Sequence, residues 1–266
     1  TRDMRRWRPF ERQLAQAGEQ TLANFRFIGE LTAALVRLVA GKSNTRFQDV
    51  VHFANETGPR AIGIVSLISI LIGMILAYMG AMQLRKFGAE IYIADLVAIG
   101  MTREMGAVMT AIILAGRTGA SYAAQLGTMQ ANDEIDAITT LGISPVEFLI
   151  MPRLLALVAV MPLLTIYANL LGIVGGGIVA GGMGITSLQY ISQAEKALDL
   201  THVGVGLLKS VIVAALIAVA GCRAGINASR SSAGVGQAAT DAVVTAVVYL
   251  IVADAAVNIF FQHLGV

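Results

Sequence analysis

Residues 61–83 run for 23 positions without one charged side chain. A helix rises about 1.5 Å per residue, so this stretch alone covers the roughly 30 Å hydrocarbon core of a bilayer. Residues 91–116, 154–180, 204–226 and 242–261 supply four more apolar stretches of comparable length. The expected fold is therefore an all-α polytopic membrane protein with about five transmembrane helices. Composition agrees: 56% of the 266 residues are apolar and 14% charged, against roughly 45–50% and about 25% in a soluble domain. The mean hydropathy is +0.72. The 28 glycines favour close contact between helices.

What lies between the stretches sets the domain organisation. Residues 1–58 mix Trp7, Phe10, Leu14, Leu22 and Phe25 with Arg5, Arg6, Arg8, Arg12, Arg26 and Lys42, as expected of an amphipathic helix in the headgroup region. A solvated helix packing on a partner shows the same pattern. Residues 1–25 hold no uninterrupted apolar stretch, so no cleavable signal peptide is expected. Residues 59–266 form the membrane domain, with Pro59 at a helix entrance and Pro162 as a kink. Gly172, Gly176 and Gly177 offer a close-packing face. Residues 117–152 are too polar to cross, and 181–201 form a polar connection.

Ten of the 19 Lys and Arg residues lie at or before Arg60. Five crossings with the basic arm inside place the N-terminus in the cytoplasm and the C-terminus outside. Arg85, Lys86 and Lys196 then fall on the outer side.

Several chemistries find no support. Gly41, Lys42 and Ser43 resemble the end of a phosphate-binding loop, but position 36 is Val where Gly is required. His52, His202 and His263 are scattered and make no metal spacing, and Cys222 has no partner for a disulfide. Ser121 lacks the flanking glycines of a nucleophile elbow. The chain is expected to carry no catalytic residues, metal site or cofactor of its own, and no nucleic-acid partner.

The charges inside the apolar stretches are the functional signal, since each costs at least ~2.5–3.5 kcal/mol near mid-bilayer. Arg103 and Glu104 lie midway along the second stretch and Lys209 in the fourth. Neighbours on an α-helix point about 100° apart, so Arg103 and Glu104 are poorly placed to neutralise each other, and Lys209 is a candidate partner for Glu104. A polar cavity and a packing ion pair both satisfy these residues. Asp95 falls roughly on the Arg103 face. Asp254 and Asn258, four apart, read as helix-packing contacts. Gly73, Leu76, Gly80, Leu84 and Phe87 share one face of the first stretch, which suits an apolar cavity or ordinary packing. Leu126, Met129, Ile135, Ile138 and Leu141, opposite Asp133, Glu134 and Asp136, read as one amphipathic helix parallel to the membrane.

Ordered motifs then carry a resemblance: TREMG at 102–106, AGRTGAS at 115–121, LGTM at 126–129, IDA at 135–137, LGISP at 141–145 and GVGQAAT at 234–240, with Pro152-Arg153 and Lys209-Ser210. Over about residues 50–262 the chain resembles the MlaE-type permeases of MCE-associated ABC transporters. The resemblance implies a homodimeric permease in the bacterial inner membrane that moves phospholipid to or from a periplasmic MCE-protein oligomer and serves outer-membrane lipid asymmetry. It implies a cytoplasmic ATPase dimer holding ATP and Mg, and a STAS-domain subunit. By the same resemblance Arg103, Glu104, Lys209, Leu76, Leu84, Phe87 and Met105 would line a lipid cavity. A cytoplasmic coupling helix with Leu126, Met129, Asp133, Glu134, Ile135 and Ile138 would meet the ATPase. Gln125 and Gln130 depart from the family pattern, which commonly has an acidic and a basic residue there. An ion-coupled secondary transporter using Asp95, Arg103 and Glu104, and a membrane anchor for an ATPase complex, are the alternative readings.

Overall fold

The computed structural model describes residues 27–38, 40–41 and 45–263. Most of the basic arm, including Trp7, Phe10, Leu14, Leu22, Phe25 and Lys42, lies outside the described residues. Helix α1 (27–38) is followed by α2 (Phe47–Phe87), α3 (Glu90–Ala131), α4 (Glu134–Thr140), α5 (Val146–Gly182), α6 (Ser187–Ala197), α7 (Leu200–Ile226) and α8 (Ser232–His263). Helices α2, α3, α5, α7 and α8 are long and apolar enough to cross a membrane, and the described residues contain no strand. The all-α, five-span architecture matches the expectation.

The helix limits differ from those expected from hydropathy. Helix α2 begins at Phe47, which puts Pro59 inside it rather than at its entrance. A proline there withholds one backbone donor, beside Glu56 and Arg60, where the helix leaves its apolar stretch. Helix α3 does not end near residue 116 but continues through a π-helical turn at Ala115–Gly119 to Ala131. The single amphipathic helix expected over residues 126–141 is two helices. They are divided at Asp133, the one described non-glycine residue in the left-handed region, at φ 58°, a conformation that Asp tolerates better than most side chains. Leu126 and Met129 therefore end α3, while Ile135 and Ile138 belong to α4.

Helix α3 threads the bundle and touches α2, α5, α7 and α8, while α2 lies along α5 and α7 lies between α5 and α8. One apolar core joins Val65, Leu114, Leu157, Met161, Ile217 and Leu250 from all five spans. Glycines set the spacing. A Cβ on Gly73 would collide with the Gly172 backbone, on Gly175 with the Ile70 carbonyl, and on Gly221 with the Gly119 carbonyl. Without a strong hydrophobic drive between helices in lipid, such backbone approach is what van der Waals packing can use. The expected face at Gly172 and Gly176 does pack closely, against Met101 and Val97, and α5 runs through Pro162 without ending.

The two ends of the bundle are built differently. At one end α1 packs Phe27, Leu31, Ala34 and Leu38 onto a cluster with Tyr122, Leu126, Ile135 and Val146, and Arg37 bonds Glu147 at 2.6 Å. At the other end α6 packs Tyr190 and Ala194 against Ala94, Ala98 and Ala180. The Tyr190 hydroxyl donates to the Ile173 carbonyl at 3.0 Å, and burial pushes its phenol up to about 12. The outward faces of α2 and α8 stay apolar and exposed, with Leu67, Leu71 and Met79 on one and Val244, Ile251 and Val252 on the other.

Candidate functional site

Lys209 is the largest fully buried side chain of the described residues, at 1% exposure. An ammonium there loses several kcal/mol of hydration, which close acceptors must offset. Its Nζ lies 2.5 Å from Glu104 Oε2 and 2.9 Å from Asp254 Oδ1, and donates to Asn258 Oδ1 at 2.6 Å. An ammonium has three N–H donors and no acceptor, so the acceptors match the donors in number. Asn258 Nδ2 closes the network by donating to Glu104 Oε2 and Asp254 Oδ2, both at 3.3 Å. The three helices α3, α7 and α8 each contribute to it.

Local structure explains how these groups meet. Residues Met101–Met105 form a π-helical turn within α3. A π turn closes i→i+5 hydrogen bonds, so consecutive residues turn through less than the 100° of an α-helix. Arg103 Nε stays 4.0 Å from Glu104 Oε1, whereas Lys209, the candidate partner named for Glu104, meets it at 2.5 Å. Arg103 Nη1 also lies 3.4 Å from His202 Nδ1. On α7, Gly206 presses against the Thr102 carbonyl. Lys209, three residues on and on the same helix face, is thereby carried to Glu104.

The network has a closed centre and an open rim. The side chains of Glu104, Asp254 and Arg103 are 30%, 24% and 23% exposed. Two arginine and lysine charges face two carboxylates, leaving the group formally neutral. Its rim presents a guanidinium next to carboxylate oxygens, a surface able to meet a zwitterionic or anionic group.

The structure thus brings together Arg103, Glu104 and Lys209, and adds Asp254, Asn258 and His202. The two α8 residues read from sequence as packing contacts are direct partners of Lys209. Their signal was the same as for the others, polar groups within an apolar run. Asp95 is not brought to the network: its carboxylate accepts from Gln193 Nε2 of α6 at 2.8 and 3.0 Å. Leu76, Leu84 and Met105 are half-buried against Ala77, Ile93, Val97 and Met101, and Phe87 is 81% exposed at the end of α2.

Of the residues read as facing an ATPase, Asp133 and Glu134 are exposed, whereas Leu126 and Ile135 are buried and Met129 and Ile138 pack half-buried beside them. The apolar side of the pattern is turned into the bundle. Gln125 also faces inward, accepting from Arg153 Nη2 at 3.2 Å. Arg153 is 6% exposed, stacks 4.4 Å from the Phe53 ring centroid and donates to the Leu149 carbonyl at 2.7 Å.

A five-span helical bundle whose charged residues are gathered between three of its helices defines a multi-pass membrane protein, the class that includes transport permeases. The chain belongs to the MlaE permease family, whose description, Permease MlaE, matches residues 50–260. It is 31% identical over 198 residues to a probable ABC transporter permease protein of Rickettsia typhi, covering 74% of this chain and 76% of that one. It is 27% identical over 249 residues to a probable ABC transporter permease protein of Synechocystis, covering 93% of each. It is 30% identical over 228 residues to the protein trigalactosyldiacylglycerol 1, chloroplastic, of Arabidopsis thaliana. That match covers 85% of this chain, which spans 65% of the Arabidopsis protein's length. The chain is therefore an ABC transporter permease, a membrane subunit that works with an ATPase.

Proposed function

We propose that this permease moves phospholipid, driven by an ATPase dimer that holds ATP and Mg, between the bacterial inner membrane and a periplasmic MCE-protein oligomer. The observation that carries the reading is the network at Arg103, Glu104, Lys209, Asp254 and Asn258. It sets a polar rim inside an apolar bundle, which suits a molecule with a charged head and apolar tails. The Arabidopsis relative bears the name of a galactolipid, which supports a lipid cargo.

In this reading the N-terminus is cytoplasmic and the C-terminus periplasmic, as the basic residues before Arg60 favour. Two copies pair, with a STAS-domain subunit beside the ATPase. Leu76, Leu84, Phe87 and Met105 meet acyl chains. The ATPase meets α4 through its exposed acids Asp133, Glu134 and Asp136, while Leu126, Met129, Ile135 and Ile138 seat that region on the bundle.

Reconstitution with the ATPase and the MCE protein in vesicles, following transfer of a fluorescent phospholipid, tests this. ATP-dependent transfer is expected, and Glu104→Lys or Lys209→Glu abolishes it. Transfer that survives both reversals removes the network from the lipid path. Transport driven by an ion gradient without the ATPase overturns the ABC mechanism in favour of a secondary transporter.

A further inference from the structure

Helix α4 is tied to the turn between α7 and α8 by a single side chain. Arg230 Nη1 donates to Asp133 Oδ1 at 2.6 Å and Nη2 to Asp136 Oδ2 at 2.5 Å. Among the described residues these are the side-chain hydrogen bonds between the α4 region and that turn. Asp133 stands at the joint where α4 leaves α3, in the left-handed conformation, and its carbonyl accepts from the Ala137 amide at 3.0 Å. A pivot of α4 about this joint therefore moves both carboxylates that Arg230 holds.

The turn is held by its own hydrogen bonds. The Ser231 amide donates to the Ser229 carbonyl at 2.7 Å, the Gly234 amide to Ser231 Oγ at 3.1 Å, and the Val235 amide to the Ser231 carbonyl at 3.1 Å. A Cβ on Gly234 would collide with Ser229, so the first turn of α8 packs directly on the connection that precedes it. The turn joins the two helices that bear Lys209 on one side and Asp254 with Asn258 on the other. From Ser232 to Asp254 the helix is on the order of 33 Å of continuous backbone.

Stability gives little reason for this bridge. The three side chains are 53%, 64% and 54% exposed, and exposed ion pairs contribute about 0–1 kcal/mol. Transmission gives a better one, because coupling needs a physical connection between elements that move. We propose that Arg230 is the positioning residue through which movement of α4 is delivered to α7 and α8, and so to the charge network between them. This rests on the reading above that α4 receives the ATPase.

The test measures phospholipid transfer and ATP hydrolysis on the same vesicles, for the complete permease–ATPase complex in phosphatidylethanolamine and phosphatidylglycerol. Arg230→Ala is expected to retain ATPase copurification and a melting midpoint within a few degrees of the unaltered protein, while lipid moved per ATP falls about 5-fold or more. Asp133→Asn, which keeps a residue tolerant of the left-handed conformation, lowers the same ratio. The exchange Arg230→Asp with Asp136→Arg, at a position of regular helical backbone, restores it in part. A ratio unchanged in Arg230→Ala, or an exchange no better than its single variants, overturns the role of Arg230 while leaving the permease reading intact. If the unaltered complex moves no lipid on ATP, the functional reading falls and the role of Arg230 falls with it.

Discussion

Gly206 of α7 rests against the carbonyl of Thr102 in the π-helical turn of α3, with no room between them for a methyl group. The contact fixes the distance between two helices one turn away from the place where Lys209 meets Glu104. Gly206→Ala is expected to lower stability by about 1–3 kcal/mol through overpacking. Gly204→Ala, two residues earlier, where a Cβ meets nothing within 4 Å, is the control and should be neutral or slightly stabilising. Thermal unfolding of both variants in detergent checks the difference.

Removing the ammonium alone should cost more than removing the whole network. Lys209→Met leaves the part-exposed carboxylates of Glu104 and Asp254 facing each other across Asn258, and the loss of their shared donor is expected to cost about 1–3 kcal/mol. Lys209→Met combined with Glu104→Gln and Asp254→Asn is expected to recover a large part of that loss. Equal melting midpoints for the single and triple variants would refute the assignment of the network as mutually compensating.

Arg153 is a buried cation whose described polar contacts are the neutral oxygens of Gln125 and Leu149. Gln125→Glu places a carboxylate on it in almost the same shape. Hydrogen bonds between charged partners are roughly twice as strong as neutral ones, so a gain on the order of 1 kcal/mol is expected. The measurement is the unfolding midpoint near neutral pH.

Tyr190 makes an alkaline signature. Its phenol has a folded value of about 12 against an ordinary 10.0, so the folded state favours the protonated form. That contribution is complete below about pH 10 and is lost as pH rises toward about 12. Tyr190→Phe should lower stability by about 1 kcal/mol near neutral pH through the lost bond to Ile173, and should flatten the decline between pH 10 and 12. Unfolding midpoints measured across that range decide it.

The spans were legible because apolar length is a direct property of sequence, and so were the charges that interrupt them. Lys209 could be named as a partner for Glu104 because unpaired charge within a bilayer needs an opposite one. Other features were not legible for physical reasons. Hydropathy reports where a helix enters lipid, not where the helix stops, so the continuity of α2 back to Phe47 and of α3 on to Ala131 could not be read from it. The π turn at Met101–Met105 shifts a helix face without a change in composition, so it could not be read from the sequence. Asp254 and Asn258 announced a polar contact but not its partner, since pairing across helices is a property of the assembled bundle. The Leu126 to Leu141 periodicity was real, but a left-handed residue at Asp133 divides it between two helices.

Because the donors of Lys209 are matched by acceptors on α3 and α8, with a further link between those acceptors through Asn258, the three helices have no continuous path of separation. A small slide stretches several short polar bonds at once around an ammonium that is only 1% exposed. Such a lysine acts as a keystone: the register of α3 and α8 against α7 is the one in which all three of its bonds are made.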